Sequence, residues 1–163
     1  VAQSLGDCAA LEAIMRTVRD SDLARGALDL LIDEATLLSG DADLRASVAA
    51  LRSLGATFTL TDFGAQTISL QQLSRLVPDR LKIHRVFVRE VAVDPERMAM
   101  ARSLIALAQT LNILTIADGI SSDSDSQFFK WEGCDLGQGD ALAPACAPAD
   151  VHDFLMSGRK ASH

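Results

Sequence analysis

Apolar positions follow two alternating patterns along this chain: short dense runs, and longer stretches spaced three or four residues apart. Residues 7–20 place Leu11, Ile14, Met15 and Val18 at helical spacing. The run ALDLLI at 27–32 is short and dense, and predicts a buried strand. Asp43 is placed to cap a helix with Leu44, Val48 and Leu51 on its core face and Gly55 closing it. Thr57 to Thr61 is a strand by its β-branched and aromatic content. A short helix is predicted from Ser69 to Leu76, and the next strand from Leu81 to Ile83. Asp94-Pro95-Glu96 is a helix start, with a cap, a proline in the first turn and then an acid. That helix carries Met98, Ala101, Ile105, Ala108 and Leu111 on one face and ends at Asn112. Ile113–Ala117 is a strand, Ser122–Trp131 a helix, Cys134–Leu136 a short strand, and Pro148 opens a last helix through Leu155.

The order is one helix followed by five βα units, which implies a parallel sheet. Five strands cannot close an eight-stranded barrel. Two architectures remain open: a doubly wound open sheet, or most of a barrel whose first strands precede Val1. Residues 1–157 read as one domain and 158–163 as a frayed tail.

With 163 residues, nearly half of them apolar, the chain can bury a core. A formal charge of −7 argues against a nucleic-acid polymer as partner. Cys8, Cys134 and Cys146 lack metal-ligand spacing and read as reduced thiols of a cytoplasmic protein. No apolar run approaches the roughly 18 residues that span a bilayer, so no membrane contact is expected from this segment.

In a parallel α/β barrel, strand ends on one face converge on a common mouth. That places Asp62, Lys82, Asp118 and Gln138 as a candidate ligand site. Each has a second reading. Asp62 and Lys82 suit a buried ion pair. Asp118 suits an acceptor for Lys82 or a cap on the following turn, and Gln138 suits satisfaction of backbone groups. His84 reads as a surface or supporting histidine. Phe128, Phe129 and Trp131 crowd one short helix, and three aromatics in four residues exceed what one face buries.

The strand-end motifs resemble those of EAL-type cyclic-di-GMP phosphodiesterase domains, a modified (β/α)8 barrel with divalent metals at its mouth. The family's E-[IL]-T-E, DDFG, LKID, AEGVE and GCDxxQG stand here as Leu31-Ile32-Asp33-Glu34, Thr61-Asp62-Phe63-Gly64, Leu81-Lys82-Ile83-His84, Ala117-Asp118-Gly119-Ile120-Ser121 and Gly133 through Gly139. The resemblance runs from about residue 3 to residue 148. It implies an α/β fold, an incomplete EAL-like (β/α) TIM-type barrel lacking its first strands.

The departures fall on the metal centre. Hydrolysis of a phosphodiester by two metals needs carboxylates to hold the ions and an activated water. The resemblance puts metal ligands at positions that are Leu31 and Thr61 here, and a Glu at Ser121; Asp118 keeps a carboxylate with shorter reach. The loop Ala65 to Leu70 lacks the family's glycine. The expectation is a degenerate, non-hydrolytic domain with no catalytic residues and no bound metal or cofactor. It would act as a cyclic-di-GMP receptor through Asp62, Lys82, Asp118 and Gln138, or as a protein-interaction module with Trp131 and Phe87 as anchors; the resemblance also implies a homodimer through helices near residues 85–107. The enzyme alternative keeps Mg²⁺- or Mn²⁺-dependent phosphodiesterase activity through substitute ligands such as Asp33 or Glu34.

Overall fold

The computed structural model describes residues 8–21, 24–34, 36, 42–65, 73 and 77–156, the side chains of 8–11, 42–45 and 155 apart. Four expectations therefore lie outside the described residues: the segment before Cys8, most of the 69–76 helix, the 66–70 loop and the tail. The described residues divide into two units, one up to Lys82 and one from Ile83 onward.

In the first unit, helix α1 spans Cys8–Asp20. Ile14, Met15 and Val18 are half-buried on the face their spacing marks. Strand β1 spans Asp29–Asp33, later than predicted. Residues 24–27 turn first, with Ala27 N–H donating to the Ala24 carbonyl at 3.0 Å and Gly26 N–H to that of Gly55 at 2.8 Å. Helix α2 runs Ala42–Ser53, beginning one residue ahead of the expected Asp43 cap, and buries Val48 and Leu51. Strand β2 spans Thr57–Phe63 and β3 Arg80–Ile83, in the order β1-β2-β3. β1 and β2 are parallel, from Asp29 opposite Thr57 to Asp33 opposite Thr61.

Strand alternation sorts these side chains onto two faces. Leu30, Ile32, Phe58 and Leu60 are buried on one. Arg52 of α2 lies 5.8 Å from the Phe58 ring centroid. The other face carries Asp29, Leu31 and Asp33 of β1 and Thr57, Thr59 and Thr61 of β2.

In the second unit, His84 caps a 3-10 turn at Arg85–Phe87, its Nδ1 accepting from Val86 N–H at 3.2 Å. Helix α3 spans Pro95–Thr110, and Asp94 accepts from Glu96 and Arg97 N–H as its sequence predicts. Asn112 ends it in the left-handed region at φ 55°. Strand β4 is Leu114–Asp118, helix α4 Asp123–Trp131, strand β5 Leu136–Gln138 and helix α5 Val151–Met156. β4 and β5 are parallel, with Ile116, Ala117 and Asp118 opposite Leu136, Gly137 and Gln138.

β5 therefore lies two residues beyond its predicted place. Cys134 N–H closes the end of α4 on the Phe129 carbonyl at 2.9 Å. The Asp135 carboxylate accepts from Thr115 N–H and Oγ1, at 2.7 and 2.8 Å. Tertiary hydrogen bonds thus take the residues that apolar content assigned to the strand. The core here is Ile83, Val88, Val91, Ala101, Ile105, Ala117, Phe128 and Phe129. Phe87 is half-buried against that core, so it is not the exterior anchor its sequence position suggested.

Candidate functional site

β2 ends at Asp62 and Phe63, where the backbone turns left-handed: Asp62 has φ 59° and is exposed. The Asp62 carbonyl accepts from Ala65 N–H at 3.0 Å, closing the turn. Its carboxylate is 3.5 Å from Thr61 Oγ1. Lys82 on β3 is half-buried. The expectation of a buried Asp62–Lys82 pair is corrected in its burial, because this turn holds the aspartate in solvent. Asp33 is half-buried and accepts from Thr36 N–H at 2.6 Å, so its carboxylate already caps the chain after β1. Glu34 is buried at 1% exposure.

Leu31 sits between Asp29 and Asp33 on their face and is 47% exposed. Neither neighbour is idle. Asp29 Oδ1 accepts from Thr57 Oγ1 at 2.9 Å and lies 3.2 Å from Arg80 Nη1; its Oδ2 accepts from Thr59 Oγ1 at 2.6 Å. Arg80 also donates to Thr57 Oγ1 at 3.1 Å. Sequence reasoning missed this network, since Asp29 looks like an interruption in an apolar run.

The second unit brings Asp118 and Gln138 together as register partners at the ends of β4 and β5. They border a cavity of about 200 Å³ that also meets Ser121, Asp140, Arg85 and Arg89. Its floor is tight backbone. Gly119 and Ile120 N–H both donate to the Gln138 carbonyl, at 2.7 and 3.0 Å. A Cβ on Gly139 would fall on the Ile120 backbone oxygen and nitrogen, so only glycine closes this corner. Gly119 has φ +88°, and a Cβ there would stand 3.2 Å from Arg85 Cβ. Ser121 Oγ donates to the buried Asp125 carboxylate at 3.3 Å, and Ala92 N–H reaches Asp125 at 3.4 Å. Asp125 thereby ties the start of α4 to the segment before α3.

Arg85 and Arg89 were missed, although two arginines four apart directly after the LKI-His84 strand end are visible in the chain. Nearby, burial pushes the Cys134 thiol above its ordinary pKa, partly offset by a hydrogen bond with Thr115. Cys134 is half-buried rather than fully core, and Cys146 is exposed.

A second, more apolar cavity of about 400 Å³ lies between α3 and α4, lined by Met98, Arg102, Phe128, Trp131 and Glu132. Trp131 is 79% exposed while Phe128 and Phe129 are buried, their rings edge to face at 5.3 Å. One face of α4 takes two of its three aromatics. Among the described residues, no three His, Cys, Asp or Glu side chains gather as a metal site. No helix of the described residues is long and apolar enough to cross a membrane.

Residues 2–145 match the family model described as the EAL domain. The chain is similar to the cyclic di-GMP phosphodiesterase NbdA of Pseudomonas aeruginosa, 28% identical over 97% of this chain and 20% of that protein. It is 30% identical to the cyclic di-GMP phosphodiesterase PdeR of Escherichia coli, over 85% of this chain and 21% of that protein. It thus spans about a fifth of the length of these curated relatives. Among solved structures, the phosphodiesterase PaMucR in complex with c-di-GMP superposes with a TM-score of 0.84 at 25% identity, covering 93% of this chain and 61% of that one. The expected fold class, an incomplete TIM-type α/β barrel, is that of these neighbours.

Proposed function

Because this chain belongs to the EAL domain family, we propose that it serves cyclic-di-GMP signalling as a catalytically inactive regulatory domain, binding the nucleotide without hydrolysing it. The observation that carries this reading is Leu31. It stands exposed on the face of β1 where the resemblance calls for a metal-binding carboxylate. Two-metal hydrolysis rests on hard oxygen donors that hold both ions and lower the pKa of a bound water. A leucine offers no donor, and Thr61 offers only a neutral hydroxyl. Of the substitute carboxylates, Asp33 already caps the chain after β1 through Thr36 N–H, and Glu34 is buried; neither stands in the place of Leu31 or Thr61. With Leu31 and Thr61 in place of carboxylates, the donor set among the described residues does not fit a pair of Mg²⁺ or Mn²⁺ ions.

Nucleotide binding draws support from the c-di-GMP held by PaMucR and from the polar cavity that joins Asp118 and Gln138. The test combines a hydrolysis assay in Mg²⁺ and in Mn²⁺ with calorimetric titration of cyclic-di-GMP in EDTA. The expected result is heat of binding with no turnover. Metal-dependent turnover that Asp62→Ala abolishes would overturn it and restore the phosphodiesterase reading. A second reading, a protein-interaction module, is favoured by Trp131 exposed beside an apolar cavity. It takes precedence if neither turnover nor nucleotide heat is seen.

A further inference from the structure

We propose that the cavity at the ends of β4 and β5 is a metal-independent phosphate site, in which Arg85 and Arg89 grip the phosphate group of a nucleotide. This deepens the receptor reading and rests on it for the identity of the nucleotide only.

The geometry begins with one turn of backbone. Arg89 N–H donates to the Arg85 carbonyl at 3.0 Å, an i to i+4 bond. Residues so spaced share a face, and both side chains border the cavity with Ser121 and Gln138. Two like charges at this spacing repel. Among the described residues, neither guanidinium is engaged by a hydrogen bond or an ion pair, Asp118 and Asp140 included. Two exposed guanidiniums that border a polar cavity, alongside Asp118 and Asp140, present paired N–H donors that the oxygens of a phosphate can accept. The Gln138 amide is a further donor bordering the same cavity.

The segment is also held in place before any ligand arrives. Arg97 Nη1 donates to the Arg89 carbonyl at 2.6 Å, and its Nε lies 3.0 Å from Asp94 Oδ2 at the start of α3. Holding the backbone of Arg89 reduces the ordering cost of binding. The two guanidiniums bring positive charge to this cavity with no metal required.

The test is calorimetric titration of the protein carrying this chain, in EDTA, with cyclic-di-GMP, guanosine monophosphate and inorganic phosphate. Arg85→Gln, Arg89→Gln and the double variant are compared with Arg16→Gln, an exposed charge on α1, and thermal unfolding verifies that each is folded. The expected result is binding that survives EDTA and weakens about tenfold per arginine, the loss of one charge-assisted contact. Phosphate probes that bind in an arginine-dependent way while cyclic-di-GMP does not would keep the site and remove the receptor reading. Cyclic-di-GMP that binds the folded double variant as tightly as the parent would overturn the site and leave the receptor reading standing. No heat from any probe, or binding abolished by EDTA, would overturn the site.

Discussion

One group of polar side chains in each unit stands in the opposite state to the other. In the first, Asp29, Thr57, Thr59 and Arg80 are locked to one another along three strands. In the second, Arg85 and Arg89 border a cavity with no described partner. Both groups lie on or next to strands of a parallel sheet, and neither can be ranked by residue type alone. Polar groups that satisfy one another serve the fold, because each removes the other's desolvation penalty. Polar groups left open onto a cavity are available to something else. The contrast separates what holds this chain together from what it can bind.

The largest effect should come from the corner where both strand-end loops of the second unit meet. Gly139→Ala puts a methyl onto the Ile120 backbone, which no rotamer change relieves. The expected cost is about 3 kcal/mol, read as a shift of the urea midpoint. Binding at the neighbouring cavity should fall with it. An unchanged midpoint would mean the Gly119–Ile120 turn moves aside freely, and the cavity floor would no longer count as preformed.

Asp29→Ala tests the locked network directly. It leaves the buried Thr59 hydroxyl without its acceptor, while Arg80, partly exposed, recovers water. The cost should be about 2 kcal/mol. Adding Arg80→Met should cost less than the sum of the single changes, because the stranded guanidinium goes with its partner. Additive costs would show that the network is four independent contacts, and the first unit would then lose its distinction from the second.

What the sequence makes legible depends on whether local or distant contacts decide each element. α3 was legible because Asp94-Pro95-Glu96 states its start locally and its apolar face repeats cleanly. β5 was misplaced because bonds from Cys134 to Phe129 and from Thr115 to Asp135 decide where it begins, and both join distant residues. Asp29 passed as part of an apolar run, since only strand register brings Thr57 and Thr59 to it. Asp118 and Gln138 were found as a pair because strand ends converge in this fold class. Asp62 was found at the strand end but not in its exposure, which follows from a positive φ that sequence does not reveal. Arg85 and Arg89 carry no strand-end position of their own, and only the turn after β3 brings them beside Asp118 and Gln138.

A smaller effect concerns the thiols. Desolvation raises the Cys134 pKa, so its thiol stays protonated where an ordinary one has begun to ionise. Peptide mapping after maleimide treatment should find exposed Cys146 labelled well ahead of Cys134 near neutral pH, with Cys134 catching up in alkali. The unfolded chain ionises this thiol first, so stability from Cys134 is present below the ordinary thiol pKa and declines as pH rises above it. Equal labelling rates at neutral pH would show that Cys134 is open to solvent and that the end of α4 does not close over it.

The smallest effect is the most discriminating. Replacing both Arg85 and Arg89 by Gln in the ligand-free protein should leave stability unchanged or raise it by about 0.2–0.5 kcal/mol, since it removes a like-charge pair at i, i+4. The gain should fade at physiological salt, where screening acts over about 8 Å. Arg52 provides the matched control from the first unit. It donates to the Val77 carbonyl at 2.5 Å, pairs with Asp79 at 3.0 Å and lies against Phe58. Its side chain is part of the fold, and Arg52→Gln should cost about 1 kcal/mol. The same chemical change therefore has opposite signs in the two units. If the double Arg85, Arg89 variant instead loses more than about 1 kcal/mol, those guanidiniums are holding the second unit together. The ground for an open phosphate site would then disappear, and the contrast between the units with it.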